Sequence, residues 1–271
     1  MPELPEVETT MRGVRPFVEG RSFREVVVRD RRLRWPVPKG LNQTLKGLKI
    51  TAVSRRAKYI LLHTAQGALM IHLGMSGRLR VLPVGTPPVK HDHVDLILSS
   101  NKVLRYHDPR RFGSVLWVTG SVSEHPLLRS LGPEPFDQHL SGDDLFGWSR
   151  GRKVAVKSFI MDGKVIVGVG NIYASEALFR AGIRPGRAAG RVTRAAYDRL
   201  LVCIQDVLRE AIEAGGTTLR DYSTVTGEPG YFEQALNVYE RDGLACVNCG
   251  TNIQRKVIGQ RASYYCPHCQ I

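Results

Sequence analysis

Met1-Pro2-Glu3-Leu4-Pro5-Glu6-Val7-Glu8-Thr9 opens the chain, and its meaning depends on whether these residues are anchored. Val7, Met11, Val14 and Val18 recur at the spacing of one helix face. That period predicts a helix holding Pro2 against the body of a domain, where an unanchored start would fray. A methionine ahead of the small proline is expected to be removed, leaving Pro2 as a secondary amine. An α-amine has a pKa of roughly 8 against about 10.4 for lysine, so more of it is unprotonated at neutral pH. Such an amine attacks carbon and can collapse to an iminium. Glu3, Glu6 and Glu8 supply carboxylates able to move protons beside it.

Beyond the expected helix, the first 135 or so residues read as strands over 22–28, 49–64, 68–82, 93–98 and 103–105. They are Val/Ile/Leu-rich runs punctuated by Gly, Pro and Asn, as in a sandwich or barrel. A polar, proline-bearing stretch at 132–142 reads as a linker. Helices are then expected over 145–149, 153–161, 172–181 and 193–214. The last has apolar residues at 197, 200, 201, 204, 207, 208, 211 and 212, with Cys203 expected as a core thiol. The expected class is α+β, with units at 1–134, 150–235 and 236–271 and a linker at 135–149.

With 271 residues, 42% of them hydrophobic, the chain can bury real cores. No apolar run approaches the roughly 18 residues of a membrane span. The start lacks the layout of a signal peptide, so a soluble, intracellular protein is expected. A net charge of +14 favours a polyanion as partner, and nucleic acid is the commonest inside a cell. The cations cluster at Arg29-Arg31-Arg32-Arg34, Arg55-Arg56-Lys58, Arg105-Arg110-Arg111 and Arg150-Arg152-Lys153-Lys157. An acidic membrane surface is the rival target, but no basic amphipathic helix stands out.

Near the end, Cys246-Val247-Asn248-Cys249 and Cys266-Pro267-His268-Cys269 are separated by sixteen residues. Two such knuckles match a four-thiolate Zn2+ site closed by a β-hairpin. Four protein ligands leave no open position, so the zinc is expected to be structural. Disulfides are the alternative, with nothing to suggest an oxidising compartment. The hairpin carries Arg255, Lys256, Gln260 and Arg261, either a solvated surface charge or a tip aimed at a groove or phosphate. Upstream, Val167-Gly168-Val169-Gly170-Asn171 leads into a helix with Asn171 expected as its N-cap, a potential anion site.

Pro2-Glu3-Leu4-Pro5-Glu6, Arg55-Arg56-Ala57-Lys58-Tyr59 and His72-Leu73-Gly74-Met75-Ser76-Gly77 resemble formamidopyrimidine-DNA glycosylases. So do Lys90-His91-Asp92-His93, Asp108-Pro109-Arg110-Arg111-Phe112-Gly113, Gly168–Asn171, Gly215-Gly216-Thr217-Thr218 and the cysteine hairpin. The resemblance spans almost the whole chain in family order. It implies a β-sandwich, a helix–two-turns–helix domain and a zinc hairpin, acting as a monomer with DNA in the cleft between its halves. The implied activity is removal of oxidised purines, including 8-oxoguanine and formamidopyrimidines, followed by strand cleavage at the abasic site. Pro2 is then the nucleophile, Glu3 the general acid/base, and Lys58 and Arg261 assist the first and second eliminations. Met75, Arg110 and Phe112 correspond to a wedge that fills the void left by a flipped nucleotide. His91, Arg152, Lys157 and Asn171 correspond to phosphate contacts. Taken alone, Met75 and Phe112 would more often be core residues. Lys58 is expected on a strand over 57–63, sharing a face with Ile60 and Leu62, where desolvation makes it a better proton carrier.

The sister group resembling endonuclease VIII, acting on oxidised pyrimidines, typically starts Pro-Glu-Gly-Pro-Glu. Leu4 and the 215–222 segment favour the purine branch, and 219–230 is expected as a lid. A non-catalytic DNA-binding protein would have no need of Pro2, Glu3, Lys58 and Arg261 together.

Overall fold

The computed structural model describes residues 2–215 and 236–271. The chain forms two compact units, one built on Met1–Arg129 and the other on Ser130–Glu213 with Gln234–Ile271. The expected lid over 219–230, and the purine-branch segment 215–222 beyond Gly215, lie outside the described residues.

The first unit is a sandwich of two antiparallel four-stranded sheets. One has the order β1-β6-β7-β5, from Phe23–Val28, Asp92–Leu98, Lys102–His107 and Arg78–Pro83. The other has the order β2-β3-β4-β8, from Ala52–Arg56, Tyr59–Thr64, Gly67–His72 and Ser114–Val118. Alternation along the strands sends Val26, Leu96 and Leu104 from one sheet, and Val53, Ile60, Leu62, Leu69 and Ile71 from the other, into one core. Helix α1, Leu4–Val18, packs on strands of both sheets and adds Val7, Met11, Val14 and Val18 to that core. The four-residue spacing at the start of the chain is thus a buried helix face. Two expected strands prove to be broken: 49–64 is a hairpin turning at Ala57-Lys58, and 68–82 splits at 73–77 into β4 and β5, which lie in different sheets. A short helix α2 (Leu41–Leu45) and β8 have no counterpart among the expected elements.

Arg105, grouped by sequence with exposed cations, is 3% exposed. Its guanidinium grips Asp95 through two bonds of 2.7 and 2.8 Å and donates to the carbonyls of Pro87 and Thr86. Burial pushes the Asp95 carboxyl up, but Arg105 and Arg29 outweigh it and hold the group below its ordinary value. The arginine therefore ties β6 to β7 and the 86–87 loop, and offers nothing to a ligand.

In the second unit, helices α3 (Gly142–Ser149), α4 (Val156–Ile160), α5 (Asn171–Arg180) and α6 (Arg194–Glu213) precede a hairpin of β9 (Gln254–Ile258) and β10 (Arg261–Tyr265). α6 buries Tyr197, Leu200, Leu201, Ile204, Val207, Leu208 and Ala211, as its period predicts. Cys203 is only half-buried, at the edge of that face. Residues 135–149, expected as a linker, include α3 with a Ser141–Asp144 capping box. The stretch before it is tied down: Gly132 donates to Gly163, Val167 to Pro133 and Gln205 to Pro135. Arg150, another member of a basic cluster, stacks 3.8 Å from the Phe146 ring and donates to the carbonyls of Gly190 and Val192. Among the described residues, no helix is long and apolar enough to cross a membrane.

Candidate active site and nucleic-acid interface

Pro2 and Glu3 are both buried at the head of α1. Glu3 is the N-cap, in extended conformation, and forms a reciprocal capping box with Glu6, whose Oε2 accepts the Glu3 N–H at 2.7 Å. Glu6 also places negative charge at the positive end of the helix dipole. The opening residues are thereby held by the helix they start.

The same helix reaches the turn that carries Lys58. Glu8 Oε2 accepts from Arg55 Nε at 2.8 Å, and Arg55 donates its second arm to the Ala57 carbonyl at 2.8 Å. Ala57 sits at φ 52°, so the turn is strained for a residue with a Cβ, and the guanidinium clasps it. Lys58 therefore stands in the β2–β3 turn and not on a strand face shared with Ile60 and Leu62. It is half-buried there. The positive φ of Ala57 breaks the strand two residues before Tyr59. His72 lies close by, its ring 4.8 Å from that of Tyr59. Its Nδ1 accepts the Gly74 N–H at 3.0 Å, which leaves the proton on Nε2. Burial, then the charges of Lys58 and Arg34, push its pKa down to about 4, so the ring is neutral at pH 7. The sequence assigns His72 to a motif but to no role.

Arg55 and Glu8 are 10% and 13% exposed, so their ion pair is nearly buried. Burial raises the Glu8 carboxyl, but bonds from Arg55 and Arg12 prevail and hold it below 4.5. Breaking such a pair from one side costs about 3 kcal/mol, and Arg55→Ala is expected to lose that much in urea melts at pH 7. A carboxyl with a lowered folded pKa stabilises fully above its unfolded value and less as pH falls through the folded one. The gap between parent and variant should therefore shrink below about pH 4.5. A gap that stays constant into that range would assign the loss to packing.

Met75, Arg110, Phe112 and His91 come from three loops that meet at one buried carboxylate. Asp108 is 0% exposed. Its Oδ1 accepts from Ser76 at 2.8 Å, and its Oδ2 from the Gly113 N–H at 2.9 Å and Tyr106 Oη at 3.2 Å. The Asp108 N–H donates to the His91 carbonyl, and Ser76 Oγ accepts the Arg110 N–H at 3.3 Å. Gly113 is required here, because a Cβ would strike Tyr106 Oη and the His72 carbonyl. Met75 is half-buried and Phe112 is 44% exposed. Neither is a core residue, and Arg110 stacks 4.9 Å from the Phe112 ring. His91 is half-buried at φ 74°.

In the second unit, Arg152 and Arg261 are exposed, Arg261 at the start of β10 beside the Gly259-Gln260 turn. Lys157 is 1% exposed, and its ammonium donates to the Ala262 carbonyl at 3.0 Å and Ser263 Oγ at 2.9 Å. Asn171 donates to the same carbonyl at 3.1 Å. It is the first helical residue of α5, with Gly170 as N-cap, and its Nδ2 turns to the hairpin and not to its own helix. Glu176, missed in the sequence, accepts from Asn237 N–H and Nδ2 and from the Val238 and Tyr239 N–H groups at 2.9–3.0 Å. It clamps the chain just before the cysteine unit.

The four sulfurs of Cys246, Cys249, Cys266 and Cys269 lie within 4.8 Å of one another. Cys246–Cys269 is 3.9 Å and Cys249–Cys266 is 3.5 Å. A zinc tetrahedron with bonds of about 2.3 Å sets its sulfurs roughly 3.8 Å apart, whereas a disulfide needs about 2.05 Å. The Asn248 and Cys269 N–H groups donate to Cys246 and Cys266 sulfur, as thiolates require. The Thr251 hydrogen bonds hold the Cys249 thiol down to about 6, while its bond with Cys249 pushes Cys269 up. Together the set fits one four-coordinate structural Zn2+.

A strand sandwich headed by a capped helix, a helical unit and a four-thiolate hairpin define a helix–two-turns–helix protein with a zinc finger. The family models agree piece by piece. The formamidopyrimidine-DNA glycosylase N-terminal domain matches residues 1–115, the formamidopyrimidine-DNA glycosylase H2TH domain 131–223, and the zinc finger found in FPG and IleRS 243–271. The chain belongs to the formamidopyrimidine-DNA glycosylase family. It is 58% identical to the formamidopyrimidine-DNA glycosylases of Syntrophotalea carbinolica and Alkalilimnicola ehrlichii, over 100% of each chain. The crystal structure of the MutM (FPG) protein from Thermus thermophilus superimposes with a TM-score of 0.87 at 39% identity, covering 99% of this chain and 98% of that one. Lactococcus lactis Fpg in complex with DNA containing an abasic site gives 0.91 at 29%, covering 99% of both.

Proposed function

We propose that this chain is a bifunctional base-excision repair enzyme that removes oxidised purines, 8-oxoguanine and formamidopyrimidines, from duplex DNA and then cuts the strand. The observation that carries the reading is the placement of Pro2 and Glu3, buried and capped at the head of α1, in a member of this family. The Pro2 amine attacks the sugar C1′, and the bond to the damaged base breaks with its electrons leaving on the base. The proton lost from the Pro2 nitrogen balances the one that neutralises the departing base. Glu3 protonates the ring oxygen as the sugar opens, giving an iminium between Pro2 and DNA. Lys58, at its clasped turn, serves the β-elimination, and Arg261, at the hairpin tip, the δ-elimination. Met75, Arg110 and Phe112 fill the gap left by the extruded nucleotide. His91, Arg152, Lys157 and Asn171 form the phosphate-binding set; of these Lys157 and Asn171 act through the hairpin backbone they hold. Residues 1–134 then form the catalytic domain, 150–235 the helix–two-turns–helix domain and 236–271 the zinc hairpin. The enzyme works as a monomer on cytoplasmic DNA.

Borohydride trapping on a duplex with one 8-oxoguanine, followed by peptide mapping, tests this. A covalent adduct at Pro2, with Met1 absent, is the expected result. No adduct from zinc-loaded protein that binds the duplex would remove 8-oxoguanine as substrate. Failure on a pre-formed abasic site as well would leave a non-catalytic DNA-binding protein.

A further inference from the structure

Between β1 and α2, the chain presents Arg31, Arg32, Arg34 and Trp35 on a loop pinned from both sides. Leu33 and Val37 are buried plugs at 7% and 0% exposure, while Trp35 between them is 46% exposed. The loop closes on itself, with Leu33 N–H and Val37 N–H both donating to the Arg31 carbonyl at 2.9 and 3.0 Å. Two further links fasten it to the loop of Arg110 and Phe112. The Arg34 N–H donates to the Gly113 carbonyl at 3.2 Å, and Arg111 pairs with Asp30 at 2.7 Å. Asp30 is also taken by Arg32, and Asp95 by Arg29. Among the described residues, Arg31 and Arg34 pair with no carboxylate. The Arg34 charge acts to lower the pKa of both Tyr59 and His72.

An indole held open between such arginines, on a loop fastened to the wedge, suits a polyanion carrying sugars and π-faces. We propose that Arg34 and Trp35 are a further DNA-contacting element of the first unit. Arg34 pairs with a phosphate beside the loop of Arg110 and Phe112 to which its backbone is fastened, and the Trp35 ring covers the deoxyribose or base face next to the wedge. The proposal rests on the glycosylase reading above and adds a contact it does not contain.

The chain has three tryptophans, Trp35, Trp117 and Trp148. A Trp117→Phe/Trp148→Phe protein makes Trp35 the sole indole reporter. Addition of a duplex bearing a stable abasic analogue should shift its emission to the blue and cut acrylamide quenching several-fold. Trp35→Ala should weaken binding on the order of tenfold, with Trp35→Phe recovering most of it. Arg34→Ala should lower the slope of log K against log salt by about one phosphate contact. Trp35 equally open to acrylamide in the free and bound protein, or an Arg34→Ala slope equal to the parent's, would overturn the proposal. Borohydride trapping on an abasic duplex is run on the same single-tryptophan protein. Normal trapping with an open Trp35 defeats the contact and leaves the enzymatic reading standing. Failure to trap defeats the enzymatic reading whatever Trp35 reports.

Discussion

Glu3→Gln is expected to slow excision of 8-oxoguanine by roughly 10²–10⁴-fold, the usual worth of a positioned general acid/base, with the fold intact. The fold is spared because an amide oxygen still accepts at the N-cap, and the Glu6 bond runs to the residue 3 backbone N–H, which the substitution does not touch. Cleavage at a pre-formed abasic site should suffer less, since an open aldehyde needs no proton delivered to the ring oxygen. Single-turnover rates on the two duplexes, with circular dichroism to monitor α1, give the comparison. Excision within tenfold of the parent would take the proton-transfer role from Glu3. It would leave that residue as a helix cap alone.

Zinc removal is the second large effect. The hairpin's apolar cluster consists of Phe179, Val238, Cys246, Ile253, Tyr264 and Cys266, so two of its members are themselves ligand thiols. So small a core does not hold a hairpin without metal, and structural zinc contributes on the order of 10 kcal/mol at neutral pH. Stripping the ion should open residues 254–265 to rapid amide exchange while the strand sandwich stays protected. Ala262 and Ser263 are the acceptors for Lys157 and Asn171, so the ammonium and the amide both lose their anchor when the hairpin goes. DNA affinity should fall with it, and re-adding Zn2+ should restore it. Full affinity after verified metal loss would separate the hairpin from binding.

Much of this arrangement was legible in the sequence, and the failures share a cause. Periodicity revealed α1 and α6 because each buries one continuous face. Cysteine spacing revealed the metal site because coordination geometry dictates it. The β2–β3 turn stayed hidden because Ala57 adopts a positive φ with no glycine or asparagine to mark it. Charge clusters could not separate exposed arginines from structural ones. Arg105 and Arg150 are consumed by partners 10 and 42 residues away, whereas Arg110 and Arg152 are exposed. Arg55 and Asp108, quoted only as motif members, and Glu176, not singled out, received no structural role for the same reason. Their bonds to Glu8, Ser76 and Val238 span 47, 32 and 62 residues, and no local pattern encodes such pairings.

The burial of Pro2 at the head of α1 also dictates how the protein should be produced. On the proposed mechanism Pro2 must carry a free secondary amine, which a fusion partner placed ahead of it would hold as an amide while adding chain where the helix begins. Purification handles therefore belong elsewhere, or must be cut by a protease that leaves proline as the first residue. A preparation carrying even one leftover residue should fold and bind like the authentic enzyme, yet give an inactive assay that is easily mistaken for the wrong substrate.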